Sequence, residues 1–451
     1  MNTVNPVKDM QSIFRDAVRA VDPAGLIDSH VKKDGSTLVI HGQDISISED
    51  LSSYHKIIIL GVGKASAGMA SAMENILGDD LSGGFVITKY GHSLNLRKVQ
   101  IMEAGHPVPD ENSMEGARVL TQMAGTADDH TLIINLISGG GSSLLCLPMD
   151  GISLEDKKQT TRALLACGAD IDEMNCVRKH LSKVKGGGLA QIAHPARLIN
   201  LILSDVTGDP IGTIASGITA PDPTTFNDAL TILRKYNIED KLPKTVTDHL
   251  RLGARGSIPE TPKANNPVFD NTVNIIIGNN ALACGAALRS ARTLGYNAFI
   301  LSTTLSGEAS EAGACFALLA RDIDTGKSGL LKPAALITGG ETTVTIRGAG
   351  MGGRSQEMAL AFLINLHRLY PDGSPNIFFL SAGTDGTDGP TDAAGAFVTP
   401  KLMEKMKDIS ALAEASLAEN DSYHFFRDTG HLFTTGPTYT NVCDIQILIV
   451  V

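Results

Sequence analysis

The chain has 451 residues and a formal net charge of −11, from 49 acidic and 38 basic side chains. Hydrophobic residues make up 43% and charged residues 19%, which is typical of a globular protein long enough for two or three domains. The acidic balance, the 4% of aromatic residues and the absence of Trp argue against nucleic-acid binding, and no apolar stretch is long enough to cross a bilayer. We therefore expect neither a nucleic-acid nor a membrane partner.

The cysteines and the start of the chain indicate a cytoplasmic protein. The six cysteines form no C-x-x-C pair and lie mostly in apolar or helical surroundings, which favours reduced thiols. The first 30 residues are interrupted by charges and contain no apolar core, so they do not resemble a signal peptide.

Strands and helices alternate through the first half of the chain. An amphipathic helix is predicted at 11–21, and later helices at 64–77, 113–123, 154–167 and 174–183. Continuous apolar runs predict buried strands at 56–60, 84–89, 132–138 and 198–203. Such strands, separated by helices, indicate a mostly parallel sheet covered on both faces, with ligands beyond the carboxyl ends of the strands.

A change in composition marks a domain boundary. Residues 253–271 are rich in Gly, Pro and Asn and have no apolar period. We predict an N-terminal α/β domain over 1–255, a linker over 256–272 and a C-terminal α/β domain over 273–451. In the last domain, strands are predicted at 273–277, 297–302, 334–338, 343–347 and 376–381, followed by a β-rich tail from 425 to 451.

Two glycine-containing loops in the first half predict anion binding. The strand Ile133–Ile137 runs into Ser138–Ser143, three glycines flanked by serines, whose N–H groups can converge on an anion. Gly61-Val62-Gly63-Lys64 resembles a shortened phosphate loop but lacks the G-x-x-x-x-G-K-[ST] spacing. A lysine at this turn can reach a phosphate, although a solvated lysine at a tight turn is the simpler alternative.

Two further segments of the first half carry polar groups that suit a substrate. Asn175, Arg178 and Ser182 lie on one predicted helix face with Lys179 beside it, before the triple glycine at 186–188. Asp205 follows a strand, where it can bind a hydroxyl, take its proton, hold Mg²⁺ or only form an Asx turn.

The second half contains three comparable loops. Thr338–Thr343 includes Gly339, Gly340 and Glu341, and the segment 348–357 places glycines and Arg354 at a predicted helix N-terminus that would suit a phosphate. The run 383–392 contributes Asp385 and Asp388, whose hard oxygen atoms suit Mg²⁺, or only cap a turn.

Gly348, Gly350 and Gly353 also match G-x-G-x-x-G, so a dehydrogenase is an alternative. The preceding residues 343–347 alternate polar and apolar, unlike the buried first strand of a dinucleotide fold, and the expected acidic residue, Asp372, lies in a turn. A lone match of this kind is weak evidence for a nicotinamide cofactor.

In this order the motifs resemble the glycerate 2-kinase family, whose C-terminal part is called the MOFRL domain. The resemblance covers nearly the whole chain and includes 61–64, 106–110, 138–143, 204–206, 338–341, 353–357 and 383–389. It implies two α/β domains, the larger Rossmann-like, with the active site in the cleft between them. It also implies a kinase, a transferase that uses ATP and Mg²⁺ to phosphorylate D-glycerate at its 2-hydroxyl. Members were once labelled hydroxypyruvate reductases, so an NAD(P)H-dependent reductase stays the alternative, and a non-catalytic sugar-acid sensor is a third hypothesis.

The resemblance assigns the catalytic lysine and arginine to Lys64 and Arg354, to which we add Asp205 as the group that orients or deprotonates the hydroxyl. We expect Glu341, Asp385 or Asp388 to hold the metal, and Arg178 or Lys179 to bind the glycerate carboxylate. The residues predicted to bind substrate or phosphate are Gly63, Ser138, Gly139, Gly140, Gly141, Ser142, Ser143, Asn175, Arg178, Lys179, Gly339, Gly340 and Gly353. Whether the loop at 138–143 holds the transferring phosphate or the carboxylate is left open.

Overall fold

A computed structural model describes residues 5–43 and 45–451 of the chain. Its strands in chain order, β1 to β15, are Val31–Asp34, Thr37–His41, Ser46–Asp50, Lys56–Val62, Gly83–Lys89, Val99–Ala104, Thr131–Ile137, Arg197–Leu203, Thr272–Gly278, Asn297–Leu305, Ala334–Gly340, Ile377–Gly383, Gly395–Val398, Leu432–Phe433 and Asp444–Val450. Its α-helices, α1 to α15, are Pro6–Ala20, Pro23–His30, Ser66–Leu77, Glu111–Gly125, Gly141–Leu144, Leu154–Ala166, Ile171–His180, Gly188–Ala193, Phe226–Lys235, Lys244–Ala254, Asn280–Thr293, Ala309–Asp324, Arg354–Leu369, Pro400–Ala418 and Ser422–Thr429.

These elements form two compact units. We call Pro23–Ile277 the parallel-sheet unit, and residues 5–22 together with Gly278–Val451 the mixed-sheet unit. No helix in either described part of the chain is both long and apolar enough to cross a membrane. The predicted active site between two domains stays a prediction.

The parallel-sheet unit is built on a six-stranded sheet with the order β6-β5-β4-β7-β8-β9. The pairings from β6 to β8 are all parallel, and β7 is buried along its whole length, as its continuous apolar run requires. In register, Val62 lies beside Ile137, and Ile137 beside Ile202. The loops that follow β4, β7 and β8 therefore leave the sheet at the same edge.

Two smaller parts complete this unit. Strands β1, β2 and β3 form an antiparallel sheet, which the sequence analysis did not predict. Helices α6, α7, α9 and α10 share a hydrophobic cluster in which Val177, Phe226, Leu233 and Leu250 are buried. This cluster fixes α7, and with it the position of Arg178.

The mixed-sheet unit contains a second six-stranded sheet with the order β10-β11-β15-β12-β13-β14. Strand β15 runs antiparallel to both of its neighbours, and its first residue, Asp444, pairs with Gly340 of β11 and Gly383 of β12. The start of β15 thus meets the carboxyl ends of β11 and β12. Helix α13 covers the sheet, with the Phe362 ring stacked at 4.4 Å on that of Phe379.

The observed units differ from the predicted domain limits in two places. Helix α1 belongs to the mixed-sheet unit, where Phe14 packs edge-on against Phe433 and Asp16 accepts a hydrogen bond from Ser290. The predicted linker 256–272 belongs to the parallel-sheet unit, since Thr261 and the Pro262 carbonyl hydrogen-bond to Asp222. A Pro- and Gly-rich composition therefore marks irregular chain here, but not a free connection between units.

Three predicted secondary-structure assignments are corrected. Residues 343–347 form no strand and contribute only an isolated bridge at Thr343. The tail predicted as β-rich begins with helix α15. Helix α7 ends at His180, so Ser182 lies beyond the helix face on which it was placed.

Candidate active site

The loops after β4 and β7 interlock at the carboxyl edge of the parallel sheet. We call Ser138–Ser143 the glycine loop. The Lys64 N–H donates to the Gly139 carbonyl at 2.8 Å, and the Ser138 hydroxyl accepts from the Ala65 N–H at 3.0 Å. Gly63 has a φ of +134°, and a Cβ there would lie 2.7 Å from the carbonyl carbon of Ser138. Glycine is therefore required for the close contact between the two loops.

Lys64, His106 and Asp205 all approach the glycine loop. A Cβ on Gly139 would lie 2.7 Å from Cγ of Asp205, and one on Gly140 would lie 2.8 Å from the His106 ring and 3.4 Å from Cγ of Lys64. Gly140, at φ +85°, begins the one-turn helix α5. The sequence prediction that Lys64, Asp205 and this loop share one edge of the sheet agrees with these positions.

A hydrogen-bond network connects the glycine loop to neighbouring residues of the same unit. The hydroxyls of Ser142 and Ser216 are 2.7 Å apart, and Ser216 donates to Oδ1 of Asn175 at 3.0 Å. Nζ of Lys185 donates to the Ser142 carbonyl at 2.7 Å. Ala215 and Ser216 both have positive φ values, 49° and 60°, a strained conformation for residues with side chains. Asn175 thus acts on the loop through Ser216.

The neighbouring residues Arg178 and Lys179 have different surroundings. Nζ of Lys179 lies 3.3 Å from a carboxylate oxygen of the fully buried Asp222, so Lys179 already has an internal counter-ion. Burial would raise the pKa of Asp222, but Lys179 and the Thr224 hydrogen bonds outweigh it and lower that pKa. Of the two predicted carboxylate ligands, Arg178 therefore fits the role better than Lys179.

Arg354 is the centre of a charged group in the mixed-sheet unit. Its guanidinium donates two hydrogen bonds to the Asp444 carboxylate, from Nε at 2.6 Å and from Nη2 at 3.0 Å, and its Nη1 donates to Glu341. We call Arg354, Asp444 and Glu341 the arginine cluster. Burial alone would lower the pKa of Arg354, but the two carboxylates outweigh it and raise that pKa, so the side chain stays charged. Because a guanidinium carries five N–H groups, two remain available.

Asp388 occupies the helix terminus that was predicted to bind phosphate. Its two oxygens accept from the N–H groups of Ser355 and Gln356 at 3.1 and 2.8 Å, the first donors of helix α13. The carboxyl group is 3% exposed, and burial together with nearby Asp444 raises its pKa to about 7. A buried side chain therefore takes the donors that a phosphate would use there.

Close packing explains the glycines predicted to bind phosphate in this unit. Gly339 and Gly340 lie within buried strand β11, and a Cβ on Gly340 would lie 2.8 Å from Cα of Leu305. A Cβ on Gly353 would overlap the backbone of Asp388, and one on Gly350 would overlap Glu419 and Asp421. The G-x-G-x-x-G match thus reflects close backbone contacts, which also removes its support for a dinucleotide site.

The predicted metal ligands are not assembled as one site. Among the described residues, no three His, Cys, Asp or Glu side chains are gathered as a metal-binding group. Asp388 caps α13, Glu341 pairs with Arg354, and Asp385 accepts from the N–H and hydroxyl of Thr387 at 3.0 Å. Asp388, whose two oxygens both accept from N–H groups of α13, is the least suited of the three to hold a cation.

Comparison with known proteins identifies the family. The DUF4147 family, described as a domain of unknown function, matches residues 9–251, and the MOFRL family matches residues 334–444. The glycerate 2-kinase of Pyrococcus horikoshii is 42% identical over 96% of this chain and 95% of its own. The chain belongs to the glycerate 2-kinase family. The crystal structure of glycerate kinase from Thermotoga maritima covers 98% of this chain and 99% of its own, with a TM-score of 0.83 and 39% identity.

Two of the similar proteins, both of Agrobacterium vitis, carry the other activity name. A protein of Agrobacterium vitis is 42% identical over 88% of this chain and 99% of its own, and is provisionally named a hydroxypyruvate reductase. The confirmed membership of the glycerate 2-kinase family agrees with the resemblance read from the motifs, and the α/β fold class is confirmed with it.

Sequence reasoning missed several residues of this glycerate 2-kinase family member. Asp444 could have been noticed as a lone carboxylate before the apolar run 445–450, although its partner depends on the antiparallel direction of β15. Lys185 and Ser216 had no motif to mark them, because they reach the glycine loop only through the tertiary fold, and neither had Lys157, which lies beside Arg178.

Proposed function

We propose that the chain transfers the terminal phosphoryl group of ATP to the 2-hydroxyl of D-glycerate, giving 2-phosphoglycerate. The observation that carries this proposal is that Lys64, Asp205 and the glycine loop meet at one edge of the parallel sheet, in a chain 42% identical to a glycerate 2-kinase. We call Gly63, Lys64 and the glycine loop the cradle. The transition state of phosphoryl transfer requires positioning and charge neutralisation more than covalent help from the protein.

In this mechanism Lys64 and Arg354 neutralise the negative charge on the transferred group. The Lys64 N–H donates to the Gly139 carbonyl, and this hydrogen bond fixes the Lys64 backbone against the glycine loop. Arg354 is held by Asp444 and Glu341 and keeps two N–H groups for oxygen ligands.

Asp205 takes the proton of the 2-hydroxyl at a carboxylate oxygen. Its carboxylate lies against Gly139, beside the cradle, as this role requires. Glycine at position 139 is needed because any side chain there would push the carboxylate away.

Mg²⁺ would be held by Glu341 and Asp385 together with the nucleotide phosphates, and would neutralise phosphate charge when bound. Protein sites for Mg²⁺ commonly provide only one or two carboxylates and leave the other positions to phosphate and water. The half-exposed Glu341 carboxylate fits such a site, whereas Asp388, which caps α13 with both oxygens, does not.

The proposal is tested by identifying the phosphorylated carbon. The protein is incubated with ATP, Mg²⁺ and D-glycerate, and then with enolase but without phosphoglycerate mutase. Phosphoenolpyruvate would form only if the 2-hydroxyl is phosphorylated. NADH consumption with hydroxypyruvate would instead indicate the reductase, and silence in both assays would favour a sensor.

A cytoplasmic location is part of the proposal. None of the six cysteines in the described part of the chain forms a disulfide; they are Cys146, Cys167, Cys176, Cys284, Cys315 and Cys443. This fits a reducing compartment, where ATP is also available. The proposed partners are small molecules alone.

A further inference from the structure

Three cationic side chains lie together behind the glycine loop. They are Lys157 of α6, Arg178 of α7 and Lys185, which precedes α8, and we call them the cation cluster. Lys157 and Lys185 are 7% and 2% exposed, whereas Arg178 is partly exposed. Since Lys185 donates to the Ser142 carbonyl, the cluster is joined directly to the loop.

No carboxylate in the described part of the chain acts on the three cations of this cluster. Nζ of Lys157 is buried without a hydrogen-bond partner, and Arg178 forms neither a hydrogen bond nor an ion pair within residues 5–43 and 45–451. The nearby thiol of Cys146 is only a weak hydrogen-bond acceptor. Asp222 is already engaged by Lys179, Thr224 and Thr261.

This arrangement is costly for the protein on its own. Burial, reinforced by repulsion from Arg178 and Lys157, places the pKa of Lys185 well below its usual value, and burial also lowers the pKa of Lys157. A buried charge without a counter-ion loses hydration that nothing replaces. A negatively charged ligand would remove both the repulsion and the missing hydrogen bond.

We propose that the cation cluster binds the carboxylate of the 2-hydroxy acid substrate, with Arg178 at the entrance and Lys157 and Lys185 behind it. This inference rests on the proposed kinase function and names the part of the substrate that this region recognises. The planar guanidinium of Arg178 matches the two oxygens of a carboxylate.

A carboxylate suits this position better than the transferring phosphoryl group. The phosphoryl group has to pass from nucleotide to hydroxyl, so its site must be open to both. The carboxylate does not react and can be held in a closed, buried pocket. Binding here also acts on the loop through Lys185 and Ser142, which would order the cradle when the acid is bound.

The test compares Lys157→Met with Lys158→Met in the full-length protein. Met replaces the lysine with a neutral side chain of similar length, and Lys158 is the partly exposed neighbour without a place in the cluster. Thermal unfolding without ATP is measured at constant ionic strength with D-glycerate, acetate, glycerol or inorganic phosphate. Steady-state kinetics with ATP are measured on the same preparations.

We expect D-glycerate to raise the melting temperature of the wild type and of Lys158→Met, but not that of Lys157→Met. Acetate should act in the same way more weakly, and glycerol should have no effect. The KM for D-glycerate should rise on the order of 10- to 100-fold in Lys157→Met, the scale of a hydrogen bond to a charged group, while the KM for ATP is unchanged. Without ligand, Lys157→Met should be at least as thermostable as the wild type, because it loses an unpaired buried charge.

An unchanged KM for D-glycerate in a folded Lys157→Met enzyme would overturn the proposal while leaving the kinase function intact. Stabilisation of the wild type by phosphate but by neither carboxylate would overturn it too. If the wild type shows no kinase activity but D-glycerate and acetate still stabilise it through Lys157, the carboxylate site is supported and the proposed function fails.

Discussion

Both units contain cationic side chains near the edge of a sheet, but the surroundings of these cations differ in charge. In the parallel-sheet unit, Lys157 and Arg178 have no carboxylate partner in the described chain. In the mixed-sheet unit, Arg354 is enclosed by Asp444, Glu341 and nearby Asp388. The difference indicates that the first site attracts an anion, whereas the second holds one arginine in a fixed orientation. The predictions below test this contrast.

The largest expected effect is on catalysis. Lys64→Ala and Arg354→Ala should each lower kcat roughly 10³-fold or more, the scale seen when a charge-stabilising group is removed. Arg354→Lys should also be severely impaired, because an ammonium cannot reproduce the two-pronged contact with Asp444. Initial rates at saturating ATP and D-glycerate measure these effects, and near-normal turnover in both alanine variants would refute the catalytic assignment.

The second prediction concerns the pH dependence of stability that arises from Asp388, one of the carboxyl groups near Arg354. Asp388 keeps its proton to about pH 7 when folded but loses it near pH 4 when unfolded, because burial and Asp444 raise its pKa. The folded state therefore binds more protons between pH 4 and 7, so this group makes the free energy of unfolding fall as pH rises through that window. At about 1.4 kcal/mol for each unit of pKa difference, the change amounts to a few kcal/mol.

Urea unfolding of the wild type and of Asp388→Asn from pH 4.5 to 8 tests this effect. The stability advantage of the wild type over the variant should shrink steadily as pH rises. Asp421→Asn is the control: burial would raise the pKa of Asp421, but the Met351 N–H and His424 outweigh it, so its pKa is lowered. Its difference from wild type should be flat over this range. Parallel curves for Asp388→Asn would show that its carboxyl group is ionised throughout.

The third prediction separates position from charge in the arginine cluster. Asp444→Asn should leave the chain folded but lower kcat, because the guanidinium loses its ionic partner. Asp444→Ala should lower the free energy of unfolding by roughly 2–3 kcal/mol, less than for a fully buried pair, since the Arg354 side chain is 33% exposed. Denaturant unfolding and steady-state kinetics of both variants test this expectation, and Glu404→Gln on the exposed face of α14 is the control. Wild-type kcat in Asp444→Asn would argue that Asp444 has no role in positioning Arg354.

The sequence predicted the parallel-sheet unit better than the mixed-sheet unit, and the reason is physical. Strands β4, β7 and β8 were predicted because buried parallel strands read as continuous apolar runs, and their shared edge placed Lys64, the glycine loop and Asp205 correctly relative to one sheet. In the mixed-sheet unit the central strand comes last in the chain and runs antiparallel. Nothing local in the sequence reveals that Asp444 would meet Arg354, ninety residues earlier.

The role of a glycine run is hard to predict from sequence alone. Glycines 339, 340 and 353 were interpreted as phosphate ligands, but each fills a close contact with neighbouring chain atoms. Glycine lies against the side chains of Asp205 and His106 at positions 139 and 140, and against the backbone of Leu305 at position 340, because each of these contacts needs a residue without a Cβ. Only the tertiary neighbours separate the two uses, so a glycine run predicts close approach without saying what approaches.

The smallest predicted effect tests that distinction within the glycine loop. Gly139→Ala should place a methyl group 2.7 Å from Cγ of Asp205, so the carboxylate must move, while the loop itself keeps its fold. We expect kcat to fall by less than about 10²-fold, the low end of what a general base contributes, because the carboxylate is displaced and not removed. Thermal stability should change little. Gly212→Ala is the matched control, since a Cβ there meets no atom within 4 Å and its φ lies outside the left-handed range. If Gly139→Ala turned over like Gly212→Ala, the position of Asp205 would not matter to the reaction, and the proton of the 2-hydroxyl would have to leave by another group of the parallel-sheet unit.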